Sequence, residues 1–531
     1  MSISRTRRRL LQSLAALAAA PLLRIDPALA ASKLRLGGAQ PFSWERLRRH
    51  ARRLAARPFE PTPPRYPKLL DTITYDVYQK IRFRRRDALF AGSGDPFPVE
   101  FFHLGRYAQQ PVAIHVVEHG RSRRVRYSPG LFQYDDTGLA DKVPNDLGFA
   151  GFRVMNNGTE PGDWLAFQGA SYFRSAGPLN QYGLSARGIA VDTAVPGRAE
   201  EFPRFTAFWL EESRTDPHGL TVYALLDGPS VTGAYRFRCR KQGAVVMDVR
   251  AELFQRAAID RLGIAPLTSM YWYSETNARR GTDWRPEIHD SDGLALWTGA
   301  GERIWRPLND PPHVQTNSFM DHDPKGFGLL QRDRNFDHYQ DDGVFYNRRP
   351  SVWVEPRGKW GAGAVMLVEL PTDDEIEDNI VAFWVPKKPA AKGTSWRFDY
   401  RLYWVAIEPF LPAVARVVAT RLGRPGVPGQ HAPRDPHGRK FVIDFTGGPL
   451  ATMRQRYDVQ AVVHTSRGRV GNAHVLKVVG TDRWRASFDL HVTGAEPVDL
   501  RCYLRLGQRT LSETWLYQFI PGDYGFDCAQ R

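Results

Sequence analysis

The chain has 531 residues and carries 73 Lys and Arg against 57 Asp and Glu, a formal net charge of +16. This length exceeds what a single hydrophobic core usually serves, so it predicts at least two domains. The positive charge is scattered and accompanies no RNA- or DNA-binding motif. We therefore exclude a nucleic-acid partner and interpret the charge as a solvated basic surface, with a membrane-facing role left open.

The first thirty residues have the features of an export signal. Thr6-Arg7-Arg8-Arg9-Leu10-Leu11-Gln12 matches a twin-arginine signal, and an Ala-rich apolar segment follows up to Leu23. That segment is shorter than the roughly 20 residues that span a bilayer, and Pro21 interrupts it. Ala28-Leu29-Ala30 supplies a cleavage site. We expect residues 1–30 to be removed and the mature protein to work in the periplasm.

One helix and many strands are predicted next. Residues 43–46 resemble a capped helix start, and Leu47, Ala51 and Leu54 form an apolar stripe that ends before Pro58. Beyond a Pro-rich linker, segments such as 235–240, 244–253 and 396–404 alternate in polarity or are rich in β-forming residues. This pattern predicts an all-β protein of sandwich or barrel architecture.

A domain boundary is predicted near residues 408–412, before a loop rich in Gly, Pro and charge at 423–438. We expect a large domain over 31–407 and a small one over 413–531, whose short strands suit an immunoglobulin-like sandwich. Cys239 alternates with aromatic residues and is predicted to lie at a buried strand position. Whether Cys502 and Cys528 form a disulfide is left open by the sequence. No CxxC or HExxH pattern supports a zinc site.

The stretch 285–384 is unusual because it gathers 18 of the 57 carboxylates among several aromatic residues. Aromatic rings stack on sugar rings, and carboxyl groups exchange protons with a glycosidic oxygen. The stretch therefore favours a glycan enzyme. The run Asp373, Asp374, Glu375 and Glu377 is interpreted as an exposed acidic loop, and Asp292 before Gly293 as a residue that caps its own turn.

Several long motifs resemble those of the periplasmic glucan biosynthesis proteins G and D, over nearly the whole mature chain. They are Pro41-Phe42-Ser43, Gln79-Lys80-Ile81-Arg82-Phe83, Gly169-Ala170-Ser171-Tyr172-Phe173-Arg174, Gln181-Tyr182-Gly183-Leu184-Ser185-Ala186-Arg187-Gly188, Ala265-Pro266-Leu267-Thr268-Ser269-Met270, Arg285-Pro286-Glu287-Ile288-His289-Asp290-Ser291-Asp292-Gly293, Asp378-Asn379-Ile380-Val381-Ala382, Arg401-Leu402-Tyr403-Trp404 and Ser512-Glu513-Thr514-Trp515-Leu516-Tyr517-Gln518. The twin-arginine signal points to the D branch, since the G branch generally carries an ordinary secretory signal.

The resemblance implies a large N-terminal β-sandwich similar to galactose-mutarotase-like domains and a small C-terminal immunoglobulin-like domain. It also implies a part in the biosynthesis of osmoregulated periplasmic glucans, whose backbone is β-1,2-linked glucose. Members of the family are anomer-inverting glycoside hydrolases or transglycosylases on β-1,2-glucan. Neither a cofactor nor a metal is expected, and the clustered acids lack the ligand spacing of an EF-hand calcium loop.

The resemblance places the two catalytic aspartates at Asp290 and Asp378. We expect Asp378 to be the general acid and Asp290 the general base, with the order of roles less firmly assigned than the pair. Proton transfer through a substrate hydroxyl or a chain of waters is consistent with this family. Inversion requires carboxyl groups about 6.5–9.5 Å apart, which leaves room for the attacking molecule.

Further residues in the family motifs are candidates for substrate binding. Tyr346 is predicted as a stacking platform for sugar and Arg349 as its hydroxyl-binding partner, against the alternative of a core ring and a solvated Arg. Tyr172, Arg174 and Arg187 are predicted to line the cleft. His289 either contacts the site and tunes Asp290 or is a hydrogen-bonded structural histidine, and the sequence leaves both open.

Two classes of function stay open. The first is an enzyme that cuts or rejoins β-1,2-glucan, by hydrolysis, transglycosylation or cyclisation. The second is a non-catalytic glucan-binding protein that guides the nascent polymer at the inner-membrane synthase. A homodimer is consistent with the family, and no residue fixes the oligomeric state.

Overall fold

The computed structural model describes residues 34–91, 97–156, 162–213, 216, 218–278, 281–426, 429 and 435–521. The predicted export signal and Cys528 lie outside these residues. Within them, no helix combines the length and apolar character needed to cross a bilayer. Cys239 lies buried on a strand, as predicted, and Cys502 is also buried, while its pairing stays a prediction.

The described residues form four short helices and many strands. The helices are α1 Trp44–Ala55, α2 Pro67–Thr72, α3 Tyr75–Gln79 and α4 Phe336–Tyr339. The strands are β1 Arg35–Pro41, β2 Arg82–Phe83, β3 Val99–His103, β4 Ala113–Glu118, β5 Arg121–Arg126, β6 Phe132–Gln133, β7 Phe149–Met155, β8 Asp163–Gln168, β9 Tyr172–Ser175, β10 Ser185–Arg187, β11 Ile189–Val191, β12 Arg204–Glu212, β13 Gly219–Asp227, β14 Val231–Gln242, β15 Ala244–Gln255, β16 Leu262–Ser269, β17 Tyr271–Tyr273, β18 Ile288–His289, β19 Gly293–Trp297, β20 Arg303–Pro307, β21 Gln315–His322, β22 Gly326–Leu330, β23 Ser351–Arg357, β24 Ala362–Glu369, β25 Ile380–Pro386, β26 Ser395–Val405, β27 Arg416–Gly423, β28 Gly438–Thr446, β29 Gln460–Thr465, β30 Arg469–Lys477, β31 Trp484–His491, β32 Val498–Leu506, β33 Arg509–Thr510 and β34 Thr514–Phe519.

Two large sheets contain most of these strands. The first sheet has the order β1-β5-β4-β12-β13-β14-β15-β26-β23-β22-β19-β20-β34-β32-β29, with β33 beside β32. The second has the order β21-β24-β25-β16-β10-β9-β8-β7-β3, with β11 beside β16. Smaller sheets pair β17 with β18, pair β2 with β6, and join β27, β28, β31 and β30. The prediction of an all-β sandwich protein is confirmed.

Aromatic side chains join the inner faces of the two large sheets. Phe237 of the first sheet lies 5.1 Å from Phe167 and 5.0 Å from Phe173 of the second, measured between ring centroids. Side chains alternate between the two faces of a strand, so the neighbours of Phe173, Tyr172 and Arg174, belong to the opposite, outer face of the second sheet. The predicted cleft residues therefore lie outside the core.

The predicted helix forms as α1 and covers the outer face of the first sheet. The Ser43 hydroxyl accepts a hydrogen bond from the Arg46 amide at 3.3 Å and so caps the first turn. Leu47 and Ala51 are buried in a cluster with residues of the first sheet that include Ala234 and Phe254. The helix and the predicted cleft residues thus lie on opposite outer faces of the sandwich.

A second hydrophobic core lies among the C-terminal strands. Phe441 of β28 and Phe488 of β31 stack with ring centroids 5.1 Å apart, and Trp515 of β34 packs against both. The predicted boundary at 408–412 falls in the segment between β26 and β27. We propose that it divides the two units, although β34 also pairs with β20 and so extends the first sheet.

Candidate functional site

One short backbone segment brings Asp290 and Asp378 together. The Asp290 amide donates to the Met270 carbonyl at 2.8 Å. On the other side, the Asn379 amide group accepts from the Tyr271 N–H and donates to the Tyr271 carbonyl, both at 2.8 Å. The two aspartates are separated by 88 positions in sequence, yet Asp290 and Asn379, the neighbour of Asp378, are both fixed to residues 270–271. The structure therefore brings the predicted pair together at one site.

Asp290 is held as the partner of a cation. Its side chain is buried, with the residue 4% exposed, and its carboxylate accepts a hydrogen bond from the Arg349 guanidinium. Burial raises the pKa of Asp290, and the charge of Arg349 opposes that shift. The contact with Arg349 therefore favours the ionised carboxylate against the effect of burial.

Asp378 has the properties of an acid that gives up its proton near neutral pH. Its side chain reaches solvent, but the surrounding protein desolvates it, and the charge of Asp290 acts in the same direction. Together they raise the pKa of Asp378 to about 6, although Arg174, Arg349 and Arg187 oppose the shift. Different environments thus separate two like groups into a potential acid and a potential base.

Tyr172, Arg174 and Arg187 form one side of the site on the outer face of the second sheet. Tyr172 and Arg187 are cross-strand partners in β9 and β10, with the Arg187 guanidinium 5.3 Å from the Tyr172 ring centroid. Glu200 pairs with Arg187 at 2.8 Å and holds it in place. Arg174 is exposed and lies 4.6 Å over the ring of Tyr182. The charges of Arg174 and Arg187 lower the pKa of Asp378, and the charge of Asp378 raises that of Tyr172, so all three predicted residues lie near Asp378.

A groove beside these residues consists of two neighbouring cavities that share Gln168. A cavity of about 180 Å³ is lined by Tyr172, Arg174 and Gln168, among others. Gln168 also lines a neighbouring cavity of about 320 Å³ beside Tyr107 and Gln109. Tyr107 is 82% exposed. An exposed aromatic ring among amides and a guanidinium is suited to contact with a sugar chain.

The prediction of Tyr346 as a stacking platform needs revision. The Tyr346 ring is 2% exposed, and the Arg349 guanidinium covers it at 4.0 Å from the centroid. The Tyr346 hydroxyl donates to Glu375, which also accepts from Arg285 at 2.9 Å. Tyr346 therefore supports Arg349 from behind instead of offering a ring face to a ligand.

The structure also places His289 away from the cleft. His289 is 1% exposed, with its Nδ1 3.0 Å from Gln331 Oε1 and its Nε2 3.0 Å from Glu287 Oε2. Adjacent residues of an extended chain point to opposite sides, so His289 faces the interior while Asp290 faces Arg349. The burial of His289 is against the prediction of substrate contact and fits the structural alternative, while its charge lowers the pKa of Asp290, as the other prediction expects.

Sequence reasoning missed three residues that support the site. Glu375 was assigned to an exposed acidic loop, but it is half-buried and binds Tyr346 and Arg285. Arg285 also donates to Asp341 at 2.6 Å, so it joins three separate segments. Asn379 was seen only as part of a motif. The sequence signal that could have indicated this role is the position of Arg285, a basic residue at the start of an acid-rich stretch.

A second group of acids lies behind His289, at the junction with the C-terminal strands. Glu275 accepts from the Thr420 amide of β27 at 3.0 Å. Burial is the main cause that raises the pKa of Glu275 to about 8, and that of both Glu287 and Asp292 to about 7. Asp292 caps the amides of residues 332 and 333 and not its own turn, contrary to the sequence prediction.

Glu287 of this second group also belongs to a cluster with the donor atoms of a metal site. Glu287, Asp333 and His338 place one ligand atom each within 4.8 Å of one another. Two carboxylates and an imidazole fit a divalent transition metal in donor type. His338 already pairs with Asp333 through its Nδ1, so these contacts also have an ordinary structural explanation.

Comparison with known proteins assigns the chain to a family. The family model described as periplasmic glucan biosynthesis protein, MdoG, matches residues 42–519, and the chain belongs to this family. Glucans biosynthesis protein D 2 of Ralstonia nicotianae is 52% identical over 97% of this chain and 98% of its own length. Glucans biosynthesis protein D of Stenotrophomonas maltophilia is 48% identical over 94% and 95%, respectively.

These comparisons confirm two predictions. The resemblance of the motifs to glucan biosynthesis proteins G and D is confirmed, and so is the location in the periplasm. The protein has a role in periplasmic glucan biosynthesis. The chemistry that it performs there is a separate question, on which the geometry of Asp290 and Asp378 bears.

Proposed function

We propose that the protein acts on β-1,2-glucan as an anomer-inverting glycoside hydrolase or transglycosylase. The observation that carries this proposal is that Asp290, and Asp378 through its neighbour Asn379, are held beside residues 270–271 in different electrostatic environments. The raised pKa of Asp378, about 6, keeps a proton available, while Asp290 is paired with Arg349. This division of roles is what inverting cleavage of a glycosidic bond requires.

The proposed reaction balances with these two groups alone. Protonated Asp378 gives its proton to the glycosidic oxygen as the bond to the anomeric carbon breaks. The attacking oxygen, from water or from a glucose hydroxyl, forms the new bond on the opposite face. Its proton passes to Asp290, directly or through an intervening hydroxyl. Each turnover thus moves one proton onto Asp290 and one off Asp378, and exchange with solvent restores both.

The residues around Asp290 would orient it for this step. Arg349 contacts the carboxylate, Tyr346 packs against Arg349, and Glu375 accepts from Tyr346. Arg285 holds Glu375 from the other side. We assign a positioning role to this series of contacting side chains, because it leaves the Asp290 carboxylate little freedom to rotate.

The groove supports a polymeric substrate. It would run from Tyr172 and Arg174 past Gln168 to Tyr107. β25 begins two residues after Asp378, and from β25 to β8 is four strand spacings, roughly 19 Å at about 4.8 Å each. A chain of several sugars would fit along this length. We also retain three proposals: contact with the inner-membrane glucan synthase, formation of a homodimer, and export by the twin-arginine route.

Incubation of the mature protein with linear β-1,2-glucan tests the proposal. The expected result is a change in chain length by mass spectrometry, with hydrolysis giving shorter linear chains and cyclisation giving products one water lighter. Asp378→Asn should abolish the change and retain glucan binding, whereas Asp373→Asn in the same loop should remain active. Binding without any change in chain length would reject the enzyme and favour a glucan-binding guide.

A further inference from the structure

The exposed side of α1 is strongly basic. Between Trp44 and Ala55 the helix has five arginines and a single acid, Glu45. All five arginines are exposed, and within the described part of the chain the ion pair formed by this group is that of Arg48 with Glu252 at 3.4 Å. Most of the positive charge of the helix is therefore directed to solvent without a neutralising carboxylate.

The neighbouring strands extend this charge. Arg236 of β14 lies on the same outer face as α1, 5.8 Å from the ring centroid of Trp44. Burial lowers the pKa of Arg236, and the charges of Arg238 and Arg250 lower it further. The carboxylate of Asp399 acts in the opposite direction. We define the basic face as Arg46, Arg49, Arg52, Arg53, Arg236 and Arg238.

The basic face and the candidate site lie on opposite sides of the sandwich. Leu47 and Ala51 fix α1 to the outer face of the first sheet. Tyr172 and Arg174 lie on the outer face of the second sheet, beyond the aromatic layer that includes Phe237. Contact through the basic face therefore leaves the groove open to solvent and to a glucan chain.

We propose that the basic face docks the protein on the surface of an anionic phospholipid bilayer. The guanidinium groups project from a helix that stands above a sheet, which suits a broad flat surface better than a polymer that needs a groove. Each basic residue close to an anionic bilayer contributes favourably, and the contributions accumulate over the group. The periplasm is bounded by bilayers, so the partner is present where the protein works.

Vesicle cosedimentation of the mature protein tests this inference. Wild type is expected to bind vesicles of phosphatidylglycerol and phosphatidylcholine at low salt, to release from them as salt rises, and not to bind phosphatidylcholine alone. The variant Arg46→Glu, Arg49→Glu, Arg53→Glu should bind the anionic vesicles on the order of 100-fold more weakly. The milder Arg→Gln variant at the same positions should lose part of the binding, which guards against misfolding of the reversed helix.

A matched control separates the effect of charge on the basic face from the effect of the protein's net charge. The variant Arg454→Glu, Arg469→Glu, Arg509→Glu changes the net charge equally at exposed positions near the C-terminal strands. It should bind anionic vesicles within about threefold of wild type. Equal losses in both variants, no loss in the helix variants, or no binding by wild type would each overturn the proposal. Glucan processing without vesicles should be unchanged in both variants, so the outcome is independent of the proposed reaction.

Discussion

The proton on Asp378 should set the alkaline limit of catalysis. Desolvation and the charge of Asp290 raise its pKa from 3.8 to about 6. A general acid must be protonated at the start of the reaction, so the active fraction falls as pH rises through this value. That fraction is about one half at pH 6 and about one hundredth at pH 8, which predicts a decrease in kcat of roughly 50-fold.

Replacing Arg174 should move this alkaline limit of the pH profile to higher pH. The charge of Arg174 lowers the pKa of both Asp378 and Asp290. In Arg174→Gln both pKa values rise, so both limbs of the pH profile move to higher pH, by less than about one unit. Arg469→Gln, at an exposed position on β30, should leave the profile in place.

Initial rates on linear β-1,2-glucan between pH 4 and 9 provide the assay, with saturating substrate to isolate kcat. Because Arg174 lines the groove, its loss is also expected to raise KM, and only the position of the limbs bears on Asp378. A wild-type rate that stays constant from pH 5 to 8 would refute the assignment of Asp378 as the acid. Movement of the limbs to lower pH in Arg174→Gln would refute the electrostatic reasoning.

Three further outcomes follow from the contacts. Arg349→Lys keeps the charge but loses the planar contact with the Tyr346 ring, so kcat should fall by about 100-fold while Tm is unchanged. Full activity of this variant would contradict the positioning role. Tyr107→Ala should raise KM for long glucans and leave short oligosaccharides unaffected, and an equal effect on both would exclude Tyr107 from the groove's function. Burial raises the pKa of Glu275 from 4.5 to about 8, so the folded protein retains a proton that the unfolded chain releases, and stability falls as pH rises between these values. Glu275→Gln should therefore reduce the loss of Tm between pH 5 and 8, and an unchanged loss would show that Glu275 does not titrate in this range.

Local patterns in the sequence were sufficient for the helix and the fold class. The Ser43 cap and the Leu47–Ala51 stripe predict α1 because capping and helical spacing act within a few residues. Strand alternation predicts the sheets in the same way. The order of strands is different, because the pairing of β16 with β25 joins residues that are more than a hundred positions apart.

The supporting residues of the site escaped prediction for the same reason. Glu375 stands in an acidic run that resembles a solvated loop, and only the fold brings Tyr346 and Arg285 to it. Tyr346 was expected to face a sugar because aromatic composition carries no information on which ring face is covered. His289 was correctly described as ambiguous, since the strand direction that turns it inward is a property of the sheet.

The anomeric form of the first product tests the central claim most directly. Proton NMR of the reaction on linear β-1,2-glucan, recorded before mutarotation equilibrates the new reducing end, reports the configuration in which it forms. If Asp378 and Asp290 act as acid and base without a covalent intermediate, hydrolysis of a β-linkage releases the α-anomer first. Initial release of the β-anomer, or unchanged activity of Asp378→Asn, would contradict the account.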